Sequence, residues 1–146
     1  PEEPMSPQRN KAVVRRWIEE GWNRGNVDVA DDLYAPEYRA RGSVADPGED
    51  LRGIDAVKGF VRRSRAAFPD MHFTIDHLIA EDDLVVGVFT VRGTHLGELN
   101  GIAPTGRRVT FTAVDVWRLR DGRIIERCLA TIDRLDLMRQ LGVIDL

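Results

Sequence analysis

The segment FTAVDVWRLRDG, Phe111 to Gly122, sets a carboxylate where a strand should be apolar. Val114, Val116, Trp117 and Leu119 read as a buried strand, and Asp115 stands in their midst. A buried, ionised and unpaired carboxylate costs on the order of several kcal/mol. Two readings follow. Asp115 is either a structural anchor paired with a buried Arg, Tyr or Trp nitrogen, or a desolvated acid whose raised pKa lets it exchange protons near neutral pH. On an alternating strand Asp115 shares its face with Phe111, Ala113 and Trp117, while Thr112, Val114, Val116 and Arg118 face the other way. Large aromatics beside a small alanine suit a hollow, helix-covered interior.

The other chemistry-bearing residues are fewer. His95, in RGTHLGELNG, stands at a strand end before a Gly-rich loop, as an acid–base group or as the residue that holds the loop. Trp17, Tyr34, Phe60, Ser64 and the strand residue Phe89 are candidates, with Phe111 and Trp117, for the wall of a substrate pocket, although aromatics at helical spacing also serve as plain core. His72 and His77 have opposite parity around Asp76, so they are not expected to converge, and no His/Asp/Glu spacing suggests a metal. GELNGIAPTGRR lacks the phosphate-loop pattern and reads as a connection between strands. Cys128 has no evident histidine partner and no Gly-x-Ser-x-Gly elbow occurs, which leaves nucleophilic catalysis unsupported.

These residues need elements to position them. Ser6-Pro7 is an N-cap followed by proline at the first helical position, and a helix is expected to run to about Arg24 with Val13, Val14, Trp17, Ile18 and Trp22 as its apolar stripe. Gly25 ends it, and Asp28 is expected to cap a short helix through Leu33 and Tyr34. EYRAR reads as a short edge strand, followed by a polar loop GSVADPGEDLRG with an Asp-Pro-Gly turn. A third helix covers about Ile54 to Ala67. Four strands follow, Met71–Ala80, Leu84–Gly93, Arg107–Leu119 and Arg123–Thr131, with turns at Asp82-Asp83 and Asp121-Gly122, and LDLMRQLG closes as a helix. Helices first and long strands afterwards predict an α+β fold, three helices packed on one face of a strongly curved, mainly antiparallel sheet with an internal apolar pocket. LVVGVFTV and FTAVDVW are apolar at both parities. The face away from the helices therefore also needs a cover: a sheet-to-sheet homodimer through Val86, Val88, Val114 and Val116 is expected, with a curl tight enough for the sheet to shield part of itself as the alternative.

The 146 residues suit one domain spanning 1–146. A net charge of −3 without a long basic run argues against nucleic acid or anionic membrane as partners, and the basic run from Arg62 to Arg65 reads as a solvated helix face. A single cysteine suits a reducing cytoplasm, no apolar run approaches the ~18 residues of a membrane span, and PEEPMSPQ lacks the regions of a signal peptide. Met5 is expected to be the natural start.

FPDMHFTIDHLIAEDDLVV, RGTHLGELNGIAPTGRRV, RLRDGRIIE and MRQLG together resemble the SnoaL-like polyketide cyclase family, from the helix NKAVVRRWIEEGWNRGN to the end of the chain. The resemblance implies a nuclear-transport-factor-like α+β cone and ring closure of an aromatic polyketide by intramolecular aldol condensation, without metal or nucleotide cofactor. It implies an aspartate on the last strand helped by a histidine on the strand before. Here the histidine falls on Asp115, the aspartate on or beside Leu129, and an asparagine after the second helix near Ala40. Leu129 thus becomes a pocket residue, with Arg127 or Asp133 as possible assistants to Asp115. The departures make this chain more similar to the hydroxylase branch of anthracycline biosynthesis, whose members dimerise through their sheets and work with a separate reductase. The epoxide hydrolases of the superfold need an Arg-x-Asp within a middle strand, which is missing: Gly93 and Thr94 follow Arg92. The expected function is hydroxylation of a polycyclic aromatic polyketide, with aldol cyclisation as one alternative and a non-catalytic small-molecule binding protein as the other.

Overall fold

The computed structural model describes residues 6–41 and 51–145. Ser6 opens α1 (Pro7–Arg16), its hydroxyl accepting from the Arg9 amide at 3.2 Å. The helix does not stay regular to Arg24. From Trp17 to Asn23 it widens into π-helical turns, which bring Trp17, Ile18 and Trp22 together on the buried side. Gly21 fits there because a Cβ would run into the Trp17 ring. Gly25 then takes a left-handed φ of 70°, as expected of a helix stop. Asp28 does not cap a helix: it sits inside a 3-10 turn, Val27–Val29, ahead of the four-residue α2 (Ala30–Leu33). Tyr34, anticipated at the end of that helix, begins β1 (Tyr34–Ala40). The Asp-Pro-Gly turn and Met5 lie outside the described residues.

After α3 (Ile54–Ala67) come β2 (His72–Glu81), β3 (Leu84–Thr94), β4 (Arg108–Arg120) and β5 (Arg123–Ile132), then α4 (Arg134–Leu141). The sheet order is β1-β5-β4-β3-β2, antiparallel except where the edge strand β1 runs parallel to β5. Asp121 and Gly122, both at positive φ, make the tight β4–β5 turn that the Asp-Gly pair calls for.

Besides the register shift where β1 meets β5, three irregularities are single extra residues on one antiparallel strand. Asp76 is extra in β2, between the pairs Ile75↔Phe89 and His77↔Val88. In β5, Ile125 and Cys128 are extra: Leu119 pairs with Ile124, Arg118 with Glu126, Trp117 with Arg127, and Val116 with Leu129. The bulge at Asp76 overturns the parity argument for the histidines, because it sets His72 and His77 on the same outer face. The inner face carries Phe73, Val85, Phe89, Val91, Phe111, Ala113, Trp117 and Ile124, which join the helices in one buried cluster.

Two side-chain amides act as extra strand segments. Asn23 donates from Nδ2 to the Phe73 carbonyl at 2.9 Å and accepts from its amide at 2.7 Å, fixing the π-helical segment to the start of β2. Gln140 does the same for Thr110, at 2.7 and 2.9 Å, and so docks α4 on β4. Gln140 belongs to the terminal RQLG run, and its place in the fold is this clamp.

Candidate active site

Between sheet and helices lies a cavity of about 610 Å³. Its walls come from every layer: Trp22 and Phe60 from the helices, Phe73, Phe111 and Ala113 from the sheet, Leu137 and Met138 from α4. Its rim holds Arg63, Glu98, Asn100 and Arg134. A second hollow of about 20 Å³, lined by Trp17, Tyr34, Tyr38 and Trp117, adjoins it. Trp22, Phe60, Asp115 and Arg127 line both, so they stand where the two meet.

Asp115 faces this interior. It is half-buried against the cavity, and burial pushes its pKa up to about 6, against an opposing pull from the Arg127 guanidinium. A carboxylate with that value is ionised at neutral pH yet close enough to it to return a proton. The bulge at Ile125, between the hairpin and Arg127, turns Arg127 inward, and the one at Cys128 restores the alternation after it. Opposite Trp117 on the inner face, Arg127 is 7% exposed, with its guanidinium carbon 5.5 Å from the centre of the Phe60 ring. The phenols of Tyr34 and Tyr38 lie in the same field, and burial raises both pKa values, keeping them protonated.

The structure sorts the remaining sequence candidates. Phe60, Ser64 and Phe111 line the large cavity, while Trp17, Tyr34 and Trp117 line only the small hollow behind it. Phe89, His95 and Leu129 line neither. Phe89 is wholly buried and packs edge-on to Phe73 and Trp117 over Gly87, where a Cβ would collide with its ring. His95 is wholly buried and fastens the 95–107 loop: its Nδ1 lies 3.0 Å from the Thr105 hydroxyl and accepts from the Thr105 amide at 3.2 Å. Leu129 is 42% exposed on the outer face, opposite Val116: the two extra residues Ile125 and Cys128 cancel, which leaves Leu129 where plain alternation from the hairpin puts it. Asp133 is no assistant either; it caps α4, accepting from the Asp136 amide at 3.1 Å. Glu126 turns outward and pairs with Arg41 at 2.8 Å.

From the sequence Trp22 and Phe68 read, like the other aromatics at helical spacing, as core before ligand platform, yet both line the cavity; the Gly97–Asn100 rim and the α4 wall carried no signal. The rim is set by two amides, Leu96 and Gly97, which donate to the Ala67 carbonyl at the end of α3 at 3.0 and 3.1 Å. Among the described residues no three His, Cys, Asp or Glu side chains gather to hold a metal ion, and no helix is long and apolar enough to cross a membrane.

Comparison with known proteins agrees with this geometry. The family described as SnoaL-like polyketide cyclase matches residues 12–141. The aklanonic acid methyl ester cyclase DauD of Streptomyces sp. (strain C5) is 30% identical over 94% of this chain and 83% of its own. Among solved structures, AclR from Streptomyces galilaeus, described as a candidate hydroxylase, superposes with a TM-score of 0.82 at 28% identity, covering 97% of this chain and 89% of that one. TsrD from Streptomyces laurentii superposes with a TM-score of 0.83 at 26% identity, covering 96% and 99%.

Proposed function

The chain belongs to the SnoaL-like polyketide cyclase family, and from that premise we propose that Asp115 withdraws a proton from an activated carbon of an anthracycline-type aromatic polyketide. The observation that supports this most is the position of Asp115: a carboxylate where the large, mainly apolar cavity meets the hollow behind it, its pKa raised to about 6. The proton passes from a carbon beside carbonyl groups to the carboxylate, and the C–H electron pair becomes the enolate. In ring closure, the enolate carbon attacks a ketone carbon of the same molecule. One C–C bond forms, the ketone π pair moves to oxygen, and that oxygen takes the proton back from Asp115. No oxidant is required, and the relatives named aklanonic acid methyl ester cyclases favour this outcome.

Hydroxylation, the outcome the sequence favours, is the second reading. The likeness to AclR supports it, as does the exposed Leu129 at the position where the family resemblance leads one to expect the cyclase acid. There the enolate carbon bonds to dioxygen to give a hydroperoxide. Two electrons and two protons from a separate reductase then leave one hydroxyl on carbon and release water.

Mass spectrometry of the product separates the outcomes. Turnover under argon that leaves the substrate mass unchanged is the expected result. Gain of one oxygen atom, dependent on air and a reductase, moves the assignment to hydroxylation. Binding without turnover under any of these conditions returns the protein to the carriers.

A further inference from the structure

Arg127 is a buried cation whose pairing is incomplete. Among the described residues its Nε and Nη2 have no hydrogen-bond partner, Asp115 included. The ring of Phe60 lies over the guanidinium carbon and supplies no acceptor oxygen. A desolvated guanidinium edge without acceptors is costly for a fold to hold, and a buried donor left unpaired in a native structure calls for an explanation, a catalytic or binding role among them. The neighbourhood offers little else: Tyr34 and Tyr38 stay protonated, and Glu126, next in the chain, pairs outward with Arg41 and Arg118.

The two orphaned donors are adjacent. Nε–H and Nη2–H point from the same edge of the planar guanidinium, the edge that meets a flat pair of oxygens in two parallel hydrogen bonds. A cis-1,3-dicarbonyl group presents such a pair, and its enolate shares one negative charge across both oxygens. Asp115 and Arg127 stand diagonally on neighbouring strands, since Asp115 pairs with Ala130 and Trp117 with Arg127. Diagonal positions of this kind are about 7–8 Å apart, room for a dicarbonyl between base and fork. Resting on the role proposed for Asp115, we infer that the Nε–Nη2 edge of Arg127 is the receptor for the two oxygens of a 1,3-dicarbonyl, holding its enolate while Asp115 takes the proton from the carbon between them. The fork selects substrates that carry two carbonyl oxygens in register and leaves monoketones without a matched partner.

The test uses 2-acetyl-1-tetralone, a bicyclic 1,3-diketone whose enolate absorbs to the red of its enol, and 1-tetralone as the monoketone control. Spectrophotometric pH titrations of the protein-bound diketone are compared for wild type, Arg127→Met, Arg127→Lys and Asp115→Asn. The wild-type cavity is expected to lower the diketone's apparent pKa by about one unit or more, a tenfold gain in acidity. Arg127→Met abolishes that gain and weakens diketone binding about tenfold or more, with 1-tetralone binding changed less than about threefold. Arg127→Lys keeps the charge and loses the fork, so it falls between them. Arg127→Met is also expected to unfold at the same or a higher temperature than wild type, because a purely structural arginine, once removed, would lower it.

Unchanged diketone acidity and affinity in both Arg127 variants overturns the assignment. So does tighter Arg127-dependent binding of 1-naphthoate than of the diketone, which would make the fork a carboxylate receptor. Asp115→Asn is read separately, by deuterium exchange at the carbon between the carbonyls. If exchange persists there while the Arg127 dependence holds, the proposed base fails and the receptor stands.

Discussion

At the scale of the residue, Asp115 ties function to stability through one proton. An unfolded aspartate titrates near 4, and the folded group near 6. Because the folded pKa is raised, the stability linked to this group is fully present below about pH 4 and is lost as pH rises through about 6. The loss at alkaline pH is at most ~3 kcal/mol, from a shift of about two units. Asp115→Asn removes the titration. Urea unfolding is expected to find the variant more stable than wild type at pH 8 and within about 1 kcal/mol of it at pH 4.5. Activity moves the other way: wild-type kcat/KM rises with pH along a limb near 6, and Asp115→Asn lowers it by about 10²–10⁴-fold. A variant with wild-type turnover would remove Asp115 from the chemistry, and one less stable at pH 8 would make it an anchor. The residue was visible in the sequence because its neighbours on both sides are apolar and its face-mates Phe111, Ala113 and Trp117 differ in size. Arg127 was visible as a residue and not as an orientation. Its facing depends on Ile125 and Cys128, on either side of it, being unpaired across from β4, a backbone event that leaves no mark in residue type.

Elements explain which parts of the site could be read in advance. The α+β order, the Ser6 cap, α3 and the Asp-Gly hairpin follow from local chemistry and reappear in the fold. Two kinds of feature did not follow. Bulges at Asp76, Ile125 and Cys128 shift parity: the first accounts for the misread facing of His72 with His77, while Leu129, placed in the pocket by family resemblance and not by counting, lies beyond both bulges of β5. The π-helical turns at Trp17–Asn23 arise from tertiary packing, with Gly21 yielding space to Trp17 and Asn23 clamped to β2. The rim loop depends equally on a non-local contact. Gly97 lies against the backbone of Ala66, where a Cβ would overlap the carbonyl oxygen, and Leu96 and Gly97 both donate to Ala67. Gly97→Ala therefore forces the loop off the end of α3. The expected cost is ~1–3 kcal/mol in thermal unfolding, as for other overpacked sites, with KM raised more than kcat is lowered because the rim and not the acid has moved. Wild-type stability and KM together would show that the loop has another resting place.

The whole molecule presents one face that its own helices do not cover. Val86, Val88, Val114 and Val116 are half-buried at the centre of the outer sheet, and beside them Ile79 and Leu129 are 59% and 42% exposed. Thr90, Thr112 and the Arg118–Asp83 pair at 2.7 Å border the patch, an apolar centre with a polar rim. Four strands ~4.8 Å apart and about 30 Å long span roughly 600 Å² of sheet. With side-chain relief added, that approaches the ~800 Å² per partner of a stable interface. A second copy of this chain supplies a face of matching shape about a two-fold axis, since such an interface is the same patch on both subunits. The prediction is a dimer by light scattering at micromolar concentration. Leu129→Arg sets two like charges near the axis in an apolar contact and is expected to give monomers, with the cavity and the titration of Asp115 unchanged because Leu129 faces away from both. A monomeric wild type would mean that this patch meets water unaided. A dimer untouched by Leu129→Arg would move the interface to another face, and the doubly apolar strands β3 and β4 would then owe their outer residues to something other than self-association.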